Sequence, residues 1–213
     1  MHSDVLVVAR ADRLPRIECR GGIAARCTLA DTVHLISTAA TPLGGDTISI
    51  RVVVEAGARL HLRSSAATIA LPSAATTTSH AGVELEVSGS LDLDLEPTVV
   101  AAGAIHHSTV TAAIDAAGTL RLRERVQIGR TDERQGLWSG ALRADIKGQP
   151  LLRHRVEIGT GAIADDVLSA PRACISELRY PAEEFATPQG ATVLELAAGG
   201  VLMTWQGDRL RAS

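Results

Sequence analysis

The middle of the chain alternates apolar and polar residues three times, each time directly after a glycine. The three copies are EAGARLHLR at 55–63, SGSLDLDLE at 88–96 and AAGTLRLRER at 116–125. Strict alternation predicts strands that bury one face and expose the other. The glycines Gly57, Gly89 and Gly118 recur at nearly equal intervals, which is typical of a structural repeat. The pattern predicts a stacked, all-β body in which each repeat adds one strand.

The charges on the second and third copies have opposite signs. Superposing Gly89 on Gly118 aligns the leucines of the two copies and sets acidic positions beside basic ones, giving Asp92–Arg121, Asp94–Arg123 and Glu96–Arg125. If the strands are parallel neighbours in register, these pairs form a cross-strand ladder worth roughly 0.2–1 kcal/mol per pair. Arg63 of the first copy would then face Asp94 from the other side. The alternatives are that each charge is solvated, or that the basic run docks an acidic partner.

Strand-like patterns continue on both sides of the repeats. Residues 4–9, 16–29, 33–37 and 47–55 precede them, with a loop at 38–46. After them, 137–159 predicts two strands joined by a turn at 147–150, and the C-terminal part predicts a hairpin around Gly199-Gly200. The best candidate for a helix is 161–179, with Asp165 and Asp166 near its start. The predicted fold class is all-β, or mainly β with one or two short helices, with a stacked β-helix or solenoid-like body.

Composition limits the functional classes. The chain has 213 residues and a net charge of −3, and no linker divides it, so one domain over 1–213 is expected. The slightly acidic charge and the near absence of aromatic residues, 2% of the chain, argue against binding nucleic acid or a membrane surface. Three cysteines without metal or redox spacing read as reduced core residues, and no export signal precedes the first strand, so a cytoplasmic location is expected.

Catalytic and metal-binding motifs are missing from the sequence. It contains no phosphate-binding loop and no G-x-S-x-G elbow. His106 and His107 are weak metal candidates, because neighbouring residues of a strand point to opposite faces. The carboxylate clusters, which include Asp165/Asp166 and Glu183/Glu184, are expected to be solvated. No catalytic, cofactor-binding or metal site is therefore predicted, and the protein is not expected to be an enzyme.

Two blocks of the chain nevertheless resemble the UreD (UreH) family of urease accessory proteins. Residues 38–68 match its glycine-rich loop ending in Gly-Gly-Asp, the following strand, and its "GA-x-L-x-L" and "AT" elements. Residues 91–130 match its second block, which ends in a Gly-Arg pair. The likeness spans roughly 30–160, and the chain is shorter than most relatives. The matching residues outside the ladder are Leu43, Gly44, Gly45, Asp46, Gly57, Ala58, Leu60, Leu62, Ala67, Thr68, Gly129 and Arg130.

The resemblance implies a non-catalytic scaffold with an elongated β-helical body. Such proteins bind apo-urease and recruit UreF and the GTPase UreG for nickel insertion, in an assembly that includes two-fold symmetric forms. The resemblance implies no tightly bound cofactor: nickel passes in transit and GTP is bound only by the partner GTPase. It also implies a passage through the body for nickel or bicarbonate. The small residues at 64–67 and 101–104 would leave room for one, and the alternative is that these alanines simply pack tightly. A structural β-solenoid interaction module unrelated to urease and a metal-binding β-barrel enzyme are the alternatives.

Overall fold

A computed structural model describes residues 1–163, 165, 170–183 and 187–210. Within these residues the chain forms seventeen β-strands and no helix, and hence no helix that could cross a membrane. The strands are β1 (His2–Ala9), β2 (Arg16–Arg20), β3 (Ile23–Leu29), β4 (Thr32–Ser37), β5 (Thr47–Val54), β6 (Arg59–Ser64), β7 (Thr68–Ala70), β8 (Thr78–Val87), β9 (Ser90–Asp94), β10 (Thr98–Val100), β11 (Ile105–Ile114), β12 (Thr119–Ile128), β13 (Leu137–Ile146), β14 (Gln149–Gly159), β15 (Ala173–Tyr180), β16 (Thr192–Glu195) and β17 (Val201–Gly207).

The strands of the described residues build two large sheets. The first sheet has the order β14-β13-β11-β8-β5-β1-β2, and its five central strands are parallel. The second sheet has the order β16-β17-β15-β12-β9-β6-β4-β3, with a parallel centre of β4, β6, β9 and β12. Antiparallel strands lie at the ends of both. The far end of β12 pairs with β10, which pairs with β7, and so adds a short third side.

The chain passes repeatedly from the first sheet to the second. Each such passage forms one coil of the solenoid, and each coil packs on the preceding one. Strand β5 leads to β6, β8 to β9 and β11 to β12. In the second sheet Leu60 pairs with Leu91, and Leu91 pairs with Leu120, in parallel register. The three repeats therefore stack as successive rungs. The predicted all-β, solenoid-like fold is confirmed, and β13–β14 and β16–β17 form the predicted hairpins.

The main core lies between the two large sheets. The leucines of the three rungs point into it and are almost completely buried, as are the valines of β1 and β5 that face them. Full burial of such a side chain stabilises the fold by about 1.5–3 kcal/mol. A second, smaller core around Val100, Ile128 and Trp138 fills the space beside the short third side. Alternation in the repeats thus decides which face becomes core and which carries charge.

The glycines that begin the rungs are required for two different reasons. Gly57 has φ +76°, a left-handed conformation that L side chains rarely adopt. Gly89 and Gly118 have no such torsion. A Cβ at Gly89 would lie 2.3 Å from the Ala58 carbonyl oxygen, and one at Gly118 would lie 2.3 Å from the Val87 oxygen. These two glycines allow each turn to rest directly on the backbone of the preceding rung.

The predicted helix at 161–179 is wrong over its second half, where Ala173–Tyr180 forms strand β15. Residues 164 and 166–169 lie outside the described residues. β15 is antiparallel to both β12 and β17, so its backbone is hydrogen-bonded on both edges. Its residues are buried on both faces, which removes the alternation that marks a half-exposed strand. Cys174 is buried, as predicted, whereas Cys19 and Cys27 are exposed and do not belong to the core.

Candidate functional site

A cavity of about 130 Å³ lies between the two large sheets. Its walls are mostly apolar, with Ile50 and Val83 from the first sheet and Leu93 and Leu122 from the second. The segment 64–66, where the chain leaves β6 and turns toward the short third side, lines another part of it. The small residues Ser64, Ser65 and Ala66 thus leave open space. Ala101 and Ala104 are instead tightly buried and are not part of the lining.

Glu124 lines this cavity. The inward-facing positions of β12 are Leu120, Leu122, Glu124, Val126 and Ile128. Glu124 therefore places a carboxyl group at a position where the alternating pattern predicts an apolar side chain. The Ser108 hydroxyl donates a hydrogen bond of 2.8 Å to Glu124 Oε1. Burial raises the pKa of Glu124, and the Ser108 bond offsets this only partly. The sequence analysis missed this residue, although its inward position could have marked it.

The two adjacent histidines lie on opposite faces of β11. His106 is buried, lines the cavity, and has Nδ1 2.9 Å from Ser79 Oγ. Burial, reinforced by His107 and His80, lowers the pKa of His106 to about 4, so its imidazole is neutral at neutral pH. His107 is on the outer face, where its ring stacks on His80 with centroids 5.1 Å apart. Among the residues that the structure describes, no three His, Cys, Asp or Glu side chains are placed to hold a metal ion.

The charged positions of the rungs meet on the outer face of the second sheet. The backbone register pairs Asp92 with Arg121 and Asp94 with Arg123. The Arg121 guanidinium bridges both carboxylates, with Nη1 3.0 Å from Asp92 Oδ1 and Nη2 3.2 Å from Asp94 Oδ2. Arg123 Nη1 is 3.8 Å from Asp94 Oδ2, a longer contact. The acidic and basic rungs are therefore neighbours in the register that the aligned repeats predict.

Two pairings differ from the expected ladder. Strand β9 ends at Asp94, so Glu96 has left the sheet and its backbone N–H donates to Ser64 Oγ instead. Arg125 consequently reaches back to Asp94, at 3.0 Å, and to the Leu95 carbonyl oxygen. Arg63 contacts Asp92 rather than Asp94, with Nη2 2.6 Å from Oδ2. In both cases a long side chain bends along the strand to the nearest carboxylate instead of pairing directly across.

A third carboxylate completes this network. Glu177 of β15 has its side chain only 4% exposed and accepts a hydrogen bond from Arg121 Nε at 3.0 Å. Arg179 Nε donates to the same oxygen at 2.7 Å, and Arg123 Nε lies 3.5 Å from the other. Sequence analysis missed Glu177 because it assigned this segment to a helix. We call the four rung arginines that contact these carboxylates the arginine layer: Arg63, Arg121, Arg123 and Arg125.

The arginines favour the ionised forms of Asp92 and Glu177. Burial opposes ionisation of Asp92, but hydrogen bonding and charge from Arg63, helped by Arg121, outweigh it and lower its pKa. Burial likewise opposes ionisation of Glu177, and the bonds from Arg121 and Arg179 lower its pKa. Arg121 is correspondingly harder to deprotonate, because despite desolvation its pKa is raised by Glu177, Asp92 and Asp94. The outer face of the second sheet is therefore a set of full charges at neutral pH.

The Gly-Gly-Asp loop is a structural joint between coils. Asp46 is buried and accepts hydrogen bonds from Thr41 Oγ1 at 3.0 Å and from the Leu43 backbone N–H at 2.9 Å. A Cβ on Gly44 would lie 1.8 Å from the Thr76 carbonyl oxygen. The Gly45 N–H donates to the Thr78 oxygen at 2.7 Å. These contacts attach the loop to the turn that precedes β8.

The remaining signature residues also serve the stacking of the coils. Ala58, Leu60 and Leu62 belong to the main core, and Thr68 begins β7, directly after the exposed Ala67. The Gly129 N–H donates to the Val100 oxygen of the preceding coil at 2.7 Å. Arg130 Nε donates to Glu133 Oε1 at 3.0 Å, and this bond, together with the N–H groups of Ala102 and Arg130, lowers the pKa of Glu133 to about 2. No catalytic constellation involves any of these residues.

Comparison with known proteins agrees with this architecture. The family model described as "UreD urease accessory protein" matches residues 25–209. The chain belongs to the UreD family. The resemblance expected for residues 30–160 is thereby confirmed, and in this UreD-family chain it reaches well beyond 160 to include β15, β16 and β17.

Curated relatives of this UreD-family chain come from several actinobacteria. "Urease accessory protein UreD 1" of Saccharopolyspora erythraea is 34% identical over 192 residues, which cover 87% of this chain and 75% of that protein. "Urease accessory protein UreD" of Streptomyces coelicolor is 31% identical over 221 residues, covering 93% and 87%. "Urease accessory protein UreD" of Frankia alni is 41% identical over 156 residues, covering 70% of this chain but only 52% of that protein. The chain thus spans about half to most of the length of these relatives.

Proposed function

We propose that this chain is a non-catalytic scaffold for urease maturation, which binds apo-urease and recruits UreF and the GTPase UreG for nickel insertion. The observation that carries the proposal is the family match over 25–209, which includes strands of both large sheets rather than one isolated motif. The family and its curated relatives are named urease accessory proteins, which supports a role in urease maturation. The stacked coils offer broad sheet faces, which suit contact with large partners better than a narrow catalytic cleft.

The absence of a catalytic arrangement in the described residues is consistent with a scaffold. Two acid–base side chains of the cavity wall are held in separate hydrogen-bonded pairs, Glu124 with Ser108 and His106 with Ser79. In both pairs the acid–base group is driven toward its neutral form, since burial raises the pKa of Glu124 and lowers that of His106. A nucleophile and a charged base in hydrogen-bond contact, as acyl or phosphoryl transfer would use, are not among these pairs.

Nickel is the cargo in this proposal. The cavity has room for several water molecules. Its polar lining supplies carboxylate and imidazole groups, donor types that divalent first-row metals accept. Glu124 and His106 have no third partner among the described residues, so they suit brief contact with an ion in transit rather than tight binding. A cavity at this place supports the expected passage, with Glu124 in its wall.

The proposal is tested by the nickel content of urease. Apo-urease would be produced with UreF and UreG in the presence and absence of this chain, and nickel per urease measured by elemental analysis together with urease activity. The proposal expects nickel and activity to depend on the chain. It also expects Glu124→Gln to retain the complex but deliver less nickel, whereas Glu195→Gln on the exposed strand β16 behaves as wild type. Equal nickel with and without the chain would refute a role in maturation.

A further inference from the structure

The arginine layer contains more positive charge than the carboxylates that contact it can neutralise. Its four guanidinium groups share three carboxylates, Asp92, Asp94 and Glu177, and each carboxylate is contacted by at least two of the four. The layer therefore has a surplus of positive charge, on a chain whose overall net charge is −3.

The outer face of the first sheet shows the opposite arrangement. There each of three ion pairs joins one arginine to one carboxylate: Arg51–Glu86, Arg153–Asp145 and Arg155–Glu157. The arginine side chains of those pairs are 47–70% exposed, so they resemble ordinary solvated surface pairs, each of which contributes little. The surplus of charge on the second sheet is thus a local property and not a general consequence of the arginine-rich composition.

One carboxylate of the network lies well below the arginines. The Glu177 side chain is 4% exposed, whereas that of Arg121, which contacts it, is 28% exposed. Asp92 and Asp94 are 24% and 16% exposed and lie at about the same depth as the arginine layer, whose side chains are 12–28% exposed. The carboxylates hold the guanidinium groups in fixed positions, and the face presents more guanidinium groups than carboxylates. Because these arginines are already ordered, little side-chain entropy remains to be lost when a partner binds.

We propose that the arginine layer is a docking surface for an acidic patch of Asp and Glu side chains on a protein partner in urease maturation. This inference rests on the proposed function. Carboxylates match the surplus in charge and the forked donors of arginine. A nucleic acid fits less well, because the chain as a whole is negative and aromatic residues make up 2% of it. At the edge of the surface, His61 contacts Asp92 and Asp31, so Asp31 limits the positive region on that side.

The test is the binding of apo-urease, and of the apo-urease–UreF complex, to the full chain in low and high salt. The test variant is Arg63→Gln combined with Arg123→Gln. Arg63 contacts one carboxylate, Asp92, and two backbone carbonyl oxygens, whereas Arg123 makes only long contacts, at 3.5 and 3.8 Å, so the stability of each variant is measured together with its binding. The matched control is Arg51→Gln combined with Arg155→Gln on the first sheet, which changes net charge equally.

The proposal expects the test variant to bind about tenfold or more weakly at low salt and to lose most of the salt dependence of the wild type. The control is expected to bind as the wild type does. Arg63→Lys keeps the charge. It should therefore bind the partner more tightly than Arg63→Gln alone and nearly as tightly as the wild type. Circular dichroism and the thermal midpoint would show that each variant is folded, and Arg63→Gln alone serves if the double variant is not.

Several results would overturn the inference. Equal weakening in the test and control variants would show a general charge effect. Displacement of the partner by inorganic phosphate, but not by chloride at the same ionic strength, would indicate a small-anion site. Unchanged binding in the test variant would refute the docking surface while leaving the proposed function intact. If the wild-type chain binds neither apo-urease nor the UreF complex at any salt, the proposed function fails and the inference fails with it.

Discussion

At the scale of the residue, a single departure from the repeat pattern places an ionisable group in the core. Glu124 occupies an inward position that its neighbours on β12 fill with leucine, valine and isoleucine. It is held by one hydrogen bond, from Ser108, in surroundings that favour the protonated carboxyl. Its charge is therefore unfavourable to the folded state, which is the opposite of the ion-paired Asp92 and Glu177 on the outer face. The second sheet thus contains both kinds of environment on its two faces.

The stability of the protein should depend on pH through Glu124. Its folded pKa is raised above the ordinary value of 4.5, so the folded state binds the proton more tightly than the unfolded state. The contribution is fully present below pH 4.5 and is lost as the pH rises from there through the folded pKa. Glu124→Gln should therefore gain stability relative to wild type as the pH rises above 4.5. Thermal midpoints of both proteins across the pH range measure this, and a constant difference would contradict it.

At the scale of the element, the rung turns set the distance between coils. Gly89→Ala places a methyl group against the Ala58 and Glu55 carbonyl oxygens, at 2.3 and 2.5 Å, and the backbone has to move apart. We expect a loss of about 1–3 kcal/mol in the free energy of unfolding. Gly82→Ala is the matched control, because its nearest neighbour is the Ile48 oxygen at 4.0 Å and its torsion is ordinary. Urea denaturation should show the control within experimental error of wild type or slightly more stable.

The attachment of β15 to β12 depends on Glu177. Glu177→Gln leaves three arginines without their shared buried carboxylate and should lower the free energy of unfolding by about 2–3 kcal/mol. The pKa of Glu177 is lowered, so its contribution is present above its ordinary value of 4.5 and is lost as the pH falls through the folded pKa. The variant should therefore lose less stability than wild type on acidification below pH 4.5. Equal acid sensitivity in denaturant titrations would count against this role.

At the scale of the whole molecule, the repeat allowed the architecture to be predicted from the sequence. Features that depart from the repeat could not be predicted in this way. Leucine alternation and the recurring glycines are enough to place Asp92 beside Arg121 in parallel register. The strand β15 could not be found in this way, because a strand buried on both faces has no alternation. Glu177 and the true partner of Arg125 depend on where β9 ends and on which strand lies next to β12, and these are settled by packing of distant segments.

The surface of the molecule divides accordingly into faces of different character. The first sheet presents exposed one-to-one ion pairs, whereas the second sheet presents arginines that are held in place by shared carboxylates. The cavity lies between them, with Glu124 and His106 in its wall. The proposed scaffold role requires contacts with several proteins, and two faces of different charge pattern suit that proposal.

The most direct measurement is affinity purification of the tagged full-length chain after co-expression with apo-urease, with and without UreF and UreG. The proposed function predicts that urease subunits are retained together with UreF, in defined stoichiometry by size-exclusion chromatography with light scattering. A folded chain that retains neither urease nor UreF would contradict the maturation role and leave only the β-solenoid fold in common with the family.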